Sequence, residues 1–197
     1  MCSRYALRAP QEEIVARFGL RVPPEAVPRG AIRPTNRALV IVPGPDGAGG
    51  PDSRLLRWGI PAPRDRKPLI NARLEKVTRT PPFRDVAHRR CLVPAGSFDE
   101  WAHEGGGRRC VTFSLPDTPL FAFAGLRTDD HFTILTGPPN ETVAAVHDRM
   151  PVIVPQDLEA AWLDPDQGTA ALLDRLGPWE GAMTTDREEP AQGELFG

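Results

Sequence analysis

Four residues far apart in the chain carry side chains that could act in one reaction: Cys2, Asn71, Glu100 and His147. The chain opens MCSRYAL, with a cysteine directly after the initiator methionine. Methionine aminopeptidases act efficiently when the second residue is small. Loss of Met1 would leave Cys2 with a free α-amine and a thiol on adjacent carbons. Such an amine, with an ordinary pKa of about 7.7–8.0, is partly neutral near pH 7 and attacks an aldehyde to give an imine. The thiol then closes on the imine carbon as a five-membered thiazolidine. Imine formation needs proton transfer to the departing water. A carboxylic acid of raised pKa, or a histidine near neutrality, supplies it. Glu100 in CLVPAGSFDEW and His147 in VHDRMPVIV are such groups. The amide of Asn71, in LINARLE, does not titrate but can fix an amine or thiolate by hydrogen bonding. Arginine forks hold phosphates bidentately, as an aldehyde within a nucleic-acid backbone would require.

The elements that must position these groups are legible in outline. PQEEIVARFGL reads as a short helix that starts at Pro10 and stops at Gly19. RALVIVP is an apolar strand followed by a Gly/Pro-rich turn. RRCLVPAG, RRCVTFSL, PLFAFAGL, HFTILTG and MPVIVP are further short β-like runs separated by turn residues. Alternation places Asn71, Arg73 and Glu75 on one strand face. PQDLEAAWL and GTAALLDRL are helical, each with Asp or Thr near its start. The expected fold is α+β: an antiparallel, β-rich, barrel-like core with peripheral helices. The 197 residues suit one domain over 1–186, with a polar, disordered tail over 187–197.

Composition narrows the function classes. No apolar run approaches the roughly 20 residues of a membrane span, and the start lacks a signal-peptide core, so a cytoplasmic (nucleoid-associated) monomer is expected. Three cysteines, Cys2, Cys91 and Cys110, do not make a disulfide framework. His88, Cys91, His103 and Cys110 lack the close-paired spacing of a zinc site, so neither metal nor cofactor is expected. Residues 54–90 hold eleven Arg or Lys against three acids, whereas 155–197 hold ten acids against two arginines. A basic middle offset by an acidic end presents a positive face to a polyanion.

With these motifs in this order, the chain resembles the SOS-response-associated peptidase family of abasic-site processing proteins. The resemblance rests on MCSR, the WG at Trp58–Gly59, LINARLE at Leu69–Glu75, RRCLVPAGSFDEW at Arg89–Trp101 and HDRMPVIV at His147–Val154. It implies a β-rich barrel that binds single-stranded DNA in the DNA damage response. It also implies self-removal of Met1 and a thiazolidine cross-link from Cys2 to the ring-opened sugar of an abasic site. By the same resemblance Asn71 positions the Cys2 amine and thiol, and Glu100 is the acid/base for ring opening and Met1 removal. His147 assists proton transfer through the imine and in reversal. Arg4, Arg73 and Arg149 hold DNA phosphates, and Trp58 belongs to the DNA-binding set. The chain departs from the family where GAIRPTN (Gly30–Asn36) replaces an aromatic–Asn pair and where PAPRDRK follows WG without a second tryptophan. The tail's QGELF resembles a sliding-clamp-binding peptide, with Gln192, Leu195 and Phe196 as its contacts. Two other readings fit some of the same residues. One is an N-terminal-Cys amidohydrolase or peptidase, which needs an oxyanion hole. The other is a divergent DNA-binding paralogue that forms no cross-link.

Overall fold

The computed structural model describes residues 2–21, 27–45, 50–62, 67–104 and 107–187. The clamp-like peptide, with Gln192, Leu195 and Phe196, lies outside the described residues, as do Arg64 and Arg66 of the basic segment. Five strands form the centre: β3 (Arg37–Val42), β4 (Asp52–Trp58), β6 (Arg90–Ala95), β9 (Phe121–Arg127) and β10 (His131–Gly137). They pair in the order β10-β4-β3-β6-β9, and β9 pairs again with β10, so the sheet closes on itself. Closure removes the exposed strand edges that invite aggregation. It also explains the continuous apolar runs, because β6 is buried at every residue and β3 at all but Arg37. Most neighbours are antiparallel. The exceptions lie on β10, which runs parallel to β4 and to β5 (Asn71–Arg73).

A second sheet continues from the barrel. Only Gly96 separates β6 from β7 (Ser97–Glu104), so one extended segment leaves the barrel and enters an open sheet. A Cβ at Gly96 would approach the Pro119 carbonyl oxygen at 3.2 Å, which favours glycine at this crossing. The open sheet is β12-β8-β7-β1-β2. It adds β1 (Arg4–Leu7), β2 (Gly30–Ile32), β8 (Gly107–Ser114) and β12 (Thr184–Arg187). The α+β architecture with a β-rich, barrel-like core is therefore the expected one.

The helices pack around this frame. In α1 (Gln11–Phe18), Glu12 and Glu13 occupy the first turn and Arg17 the last, as the helix dipole favours. Gly19 ends it with left-handed backbone at φ 60° and an N–H bonded to Val15. In α4 (Gln156–Leu163), Trp162 is buried and its indole donates to the Cys91 carbonyl at 2.9 Å. The expected Asp or Thr caps are absent: Pro155 precedes α4 and Gly168 precedes α5 (Thr169–Leu173), with no side-chain cap at either. The MPVIV run is also shorter than expected. Only Met150–Pro151 form a strand, β11, and the residues after it fill the gap where β9 and β10 diverge. There Val152 donates to Leu135 at 2.9 Å, and Ala124 donates to Val152 at 2.8 Å.

Arg90 departs from the basic face expected for residues 54–90. It is 3% exposed and donates to the Trp162 carbonyl at 2.7 Å, the Thr169 hydroxyl at 2.6 Å and the Asp164 carbonyl. A buried guanidinium needs such partners, so Arg90 ties β6 to the helices behind it.

Candidate active site

The two sheets meet at a seam, and each contributes half of the site. Cys2 and Glu100 come from the open sheet, on or beside β1 and β7. Asn71 and His147 come from segments attached to β10 of the barrel. The register on β1 sets Arg4 opposite Asp99 and Tyr5 opposite Phe98, which places Cys2 at the Glu100 end of the pair. Asn71 begins β5 opposite Ile134, and His147 lies in the turn just before β11.

Cys2 is fully buried. Its carbonyl accepts a 2.8 Å hydrogen bond from the Asn71 amide, which joins the barrel to the head of β1. Its thiol contacts the Arg4 carbonyl at 3.5 Å. Burial pushes the Cys2 thiol far up, and the charge of Glu100 adds to the effect. The thiol is therefore neutral at physiological pH, and any attack by it requires a base. The Oδ1 atom of Asn71 is buried without a hydrogen-bond partner among the described residues.

Glu100 is 1% exposed, and burial pushes its carboxyl up to about 7. The positive chain terminus pulls the other way, while Asp148 and Asp99 add to the rise. A carboxyl at that value is a mixture of acid and base at neutral pH, the condition for moving protons both ways. Burial lowers the His147 pKa, and the positive chain terminus acts in the same direction. The neutral imidazole accepts the Arg149 N–H at Nδ1, 3.0 Å away, which leaves Nε2 as its proton-bearing nitrogen. The Asp148 carboxylate also lies 2.9 Å from Nδ1 and would accept a hydrogen bond from it if the ring became charged. Glu100 acts on Cys2, and Asp148 acts on both Glu100 and His147, so these groups share one electrostatic neighbourhood.

The other expected residues divide. Arg73 is exposed on β5, two residues from Asn71 and on the same strand face. Arg4 binds Asp99, donates to the Cys110 sulfur at 2.7 Å, and lies 5.2 Å over the Trp101 ring. Glu75 does not share the strand face with Asn71 and Arg73, because the chain turns into a 3-10 helix at Leu74–Lys76. That turn brings Glu75 to Arg149, where two 2.9 Å hydrogen bonds form a bidentate pair. Arg149 also donates to the Thr136 carbonyl and so fastens the His147 turn to β10.

Trp58 has another place than the DNA-binding surface. It is fully buried, 5.2 Å from Tyr5 and stacked on Phe132, and its indole donates to the Ile70 carbonyl at 2.8 Å. It therefore fixes the residue before Asn71. The RPTN turn docks on its backbone: Thr35 donates to Trp58 at 2.8 Å, and Trp58 donates to Asn36 at 2.9 Å. Thr35 has φ 71°, an unusual conformation for a β-branched residue. Asp99 and Asp148 complete the site and were missed in the sequence reading. The only signal was adjacency, in the pairs Asp99–Glu100 and His147–Asp148.

Comparison with known proteins agrees with this frame. The family model described as SOS response associated peptidase (SRAP) matches residues 1–187. Abasic site processing protein YoaM of Bacillus subtilis is 34% identical over 200 residues, spanning 89% of this chain and 85% of that protein. Abasic site processing protein YedK of Escherichia coli is 25% identical over 183 residues, spanning 83% and 79% respectively. A phage-related protein from Bordetella bronchiseptica superposes with TM-score 0.77 at 27% identity, over 96% of this chain and 95% of its own. A Bacteroides thetaiotaomicron protein shares the fold with TM-score 0.82 at 23% identity, over 95% and 92%. The chain belongs to the SOS response associated peptidase (SRAP) family.

Proposed function

We propose that this protein processes abasic sites in single-stranded DNA, by forming a thiazolidine cross-link through Cys2 after removal of Met1. The observation that carries the reading is Cys2, held by Asn71, within electrostatic reach of a buried Glu100 carboxyl poised near neutral pH. Curated relatives named abasic site processing proteins support the substrate.

An abasic site is mostly a closed hemiacetal in equilibrium with an open aldehyde. Protonated Glu100 donates to the ring oxygen as the C1–O bond breaks, and the C1 hydroxyl gives its proton to His147 or to water as the aldehyde forms. The neutral Cys2 amine attacks the aldehyde carbon, a C–N bond forms, and the hydroxyl leaves as water after taking a proton. The resulting iminium carbon is the electrophile for the thiol. Because burial keeps that thiol protonated, closure requires its proton to pass to carboxylate Glu100 or to His147 as the C–S bond forms. The amine therefore acts first and the sulfur second. The vacant Oδ1 of Asn71 is an acceptor for an amine N–H during the first step. Exposed Arg73 is suited to a flanking phosphate, and Arg4 would have to leave Asp99 to reach one; such contacts weaken as salt rises.

The test is a denaturing gel of the protein incubated with single-stranded DNA carrying one abasic site, beside Cys2→Ala. A shifted band that survives denaturation and disappears in the variant is expected. An equal band in Cys2→Ala, or none from wild type after mass spectrometry has verified loss of Met1, would refute the assignment.

A further inference from the structure

The seam uses only part of the basic segment. Two other members of it, Arg54 and Arg89, converge with Arg127 at the opposite mouth of the barrel. A recess of about 340 Å³ opens there, lined by Arg54, His88, Arg89 and Arg127, with Pro43 and Pro165 as apolar wall. At this mouth β6 begins and β9 ends, whereas the seam lies where β6 has passed into β7. Along the six residues of β6 the two ends are about 17 Å apart.

The charge in the recess is unbalanced. Asp129 accepts a hydrogen bond from Arg89, but its side chain is 76% exposed. The guanidinium of Arg127 is half-buried. Burial is the main cause lowering its proton affinity; Arg89 and Arg54 act in the same direction, against Cys91 and Asp129. Its Nε–H is buried and has no hydrogen-bond partner among the described residues. Arg90 lines the same recess but is spent on the Trp162 and Asp164 carbonyls and the Thr169 hydroxyl, so it stiffens the floor without binding. Like charges packed beside an unspent buried donor are relieved by an oxyanion that accepts from them.

We propose that this barrel mouth is a phosphate-binding site, in which Arg127 and Arg89 donate to the oxygens of a phosphate monoester and Arg54 closes the rim. A recess at a barrel mouth suits a terminal phosphate better than a backbone phosphodiester, which must continue in both directions. A dianion also matches the excess positive charge. The proposal is independent of the chemistry at Cys2.

The experiment is calorimetric titration of the full chain with inorganic phosphate against chloride at matched ionic strength, using wild type, Arg127→Gln and Arg54→Gln. A charge-assisted hydrogen bond of about 1.5–3 kcal/mol makes its loss worth about tenfold or more in affinity. Arg127→Gln is expected to lose at least that much, and exposed Arg54→Gln about fivefold with unchanged melting temperature. Cross-linking of an internal abasic site is expected to stay unchanged in both. Absence of phosphate-specific heat in wild type, or equal affinity in wild type and folded Arg54→Gln, would overturn the site. A parallel titration compares 5′-phosphorylated with 5′-hydroxyl oligonucleotides. Tighter binding of the phosphorylated than of the hydroxyl oligonucleotide supports the site and assigns it to a DNA end. Equal binding of the two oligonucleotides, with inorganic phosphate still bound, supports it and assigns it to free phosphate.

Discussion

Replacing Glu100 with glutamine should stabilise the protein at alkaline pH while impairing its chemistry. The native carboxyl titrates at about 7, against an ordinary glutamate value of 4.5. At pH below 4.5 both folded and unfolded chains hold the proton, and the group costs nothing. Between 4.5 and about 7 the folded chain keeps a proton that the unfolded chain has released, so stability falls as pH rises. Above 7 the whole difference of about 2.5 pKa units is lost, roughly 3 kcal/mol at 1.36 kcal/mol per unit. Glutamine carries no such penalty and has nearly the same shape. Glu100→Gln should therefore exceed wild type by about 2–3 kcal/mol at pH 8 and differ by less than about 1 kcal/mol at pH 5. At about 2–4 °C per kcal/mol for a domain of this size, the melting temperature should rise by about 4–12 °C at pH 8. Urea unfolding at the two pH values gives the comparison directly. An equal stability difference at pH 5 and pH 8, of either sign, would show that Glu100 is not held above its ordinary range by burial. Slow cross-linking in the same variant would then separate the catalytic use of the carboxyl from its structural cost, a familiar trade at reactive sites.

Two further outcomes concern residues that act through others. Glu75→Gln should change stability by less than about 1 kcal/mol, since the Glu75 side chain is 46% exposed. It should nevertheless slow cross-linking several-fold and alter its pH profile, because Arg149 would no longer be clamped beside His147. An unchanged pH profile would remove Glu75 from the positioning set. Trp58→Phe should cost about 2–3 kcal/mol, combining the lost indole hydrogen bond with a cavity. In protein that remains folded, affinity for intact single-stranded DNA by fluorescence anisotropy should hold within about twofold while cross-linking falls. A large loss of affinity would return Trp58 to the DNA surface.

The legible parts of this fold are those where one property decides the outcome. Gly19 ends α1 because left-handed backbone is cheap for glycine, and the fully buried strands announce themselves as apolar runs. β4 does not, since Arg57 interrupts it on the outward face and Arg54, on the same face as buried Leu56 and Trp58, stands exposed at the barrel mouth. Glu75 was placed on the Asn71 face by alternation, which fails once the chain turns into a 3-10 helix after Arg73. Trp58 and Arg90 show the same limit from another side. The resemblance puts Trp58 in the DNA-binding set and the charge count puts Arg90 on a basic face, but both side chains donate to internal carbonyls. Local patterns do not report which partners the closure of a barrel brings near, whereas Cys2, Asn71, Glu100 and His147 are legible as residue types able to do chemistry wherever they land.

A chain terminus is ordinarily the least ordered part of a fold, and a frayed aminothiol would react with any aldehyde that diffused past. Here the segment after Cys2 is a strand with neighbours on both edges, β2 on one side and β7 on the other. The residue itself is tied across the seam by Asn71. This anchoring takes the thiol out of water and keeps it protonated, which suppresses its reaction with oxidants and stray electrophiles. It also places the thiol within electrostatic reach of Glu100, a carboxyl that burial makes basic enough to accept a proton near neutral pH. Under the proposed chemistry, selectivity then resides less in the reactive groups than in access. Only an aldehyde carried on a strand that can bend into the seam, with a phosphate within reach of Arg73, brings its carbon to a fixed amine. The same burial that silences the sulfur beforehand sets it against the iminium once the amine has reacted.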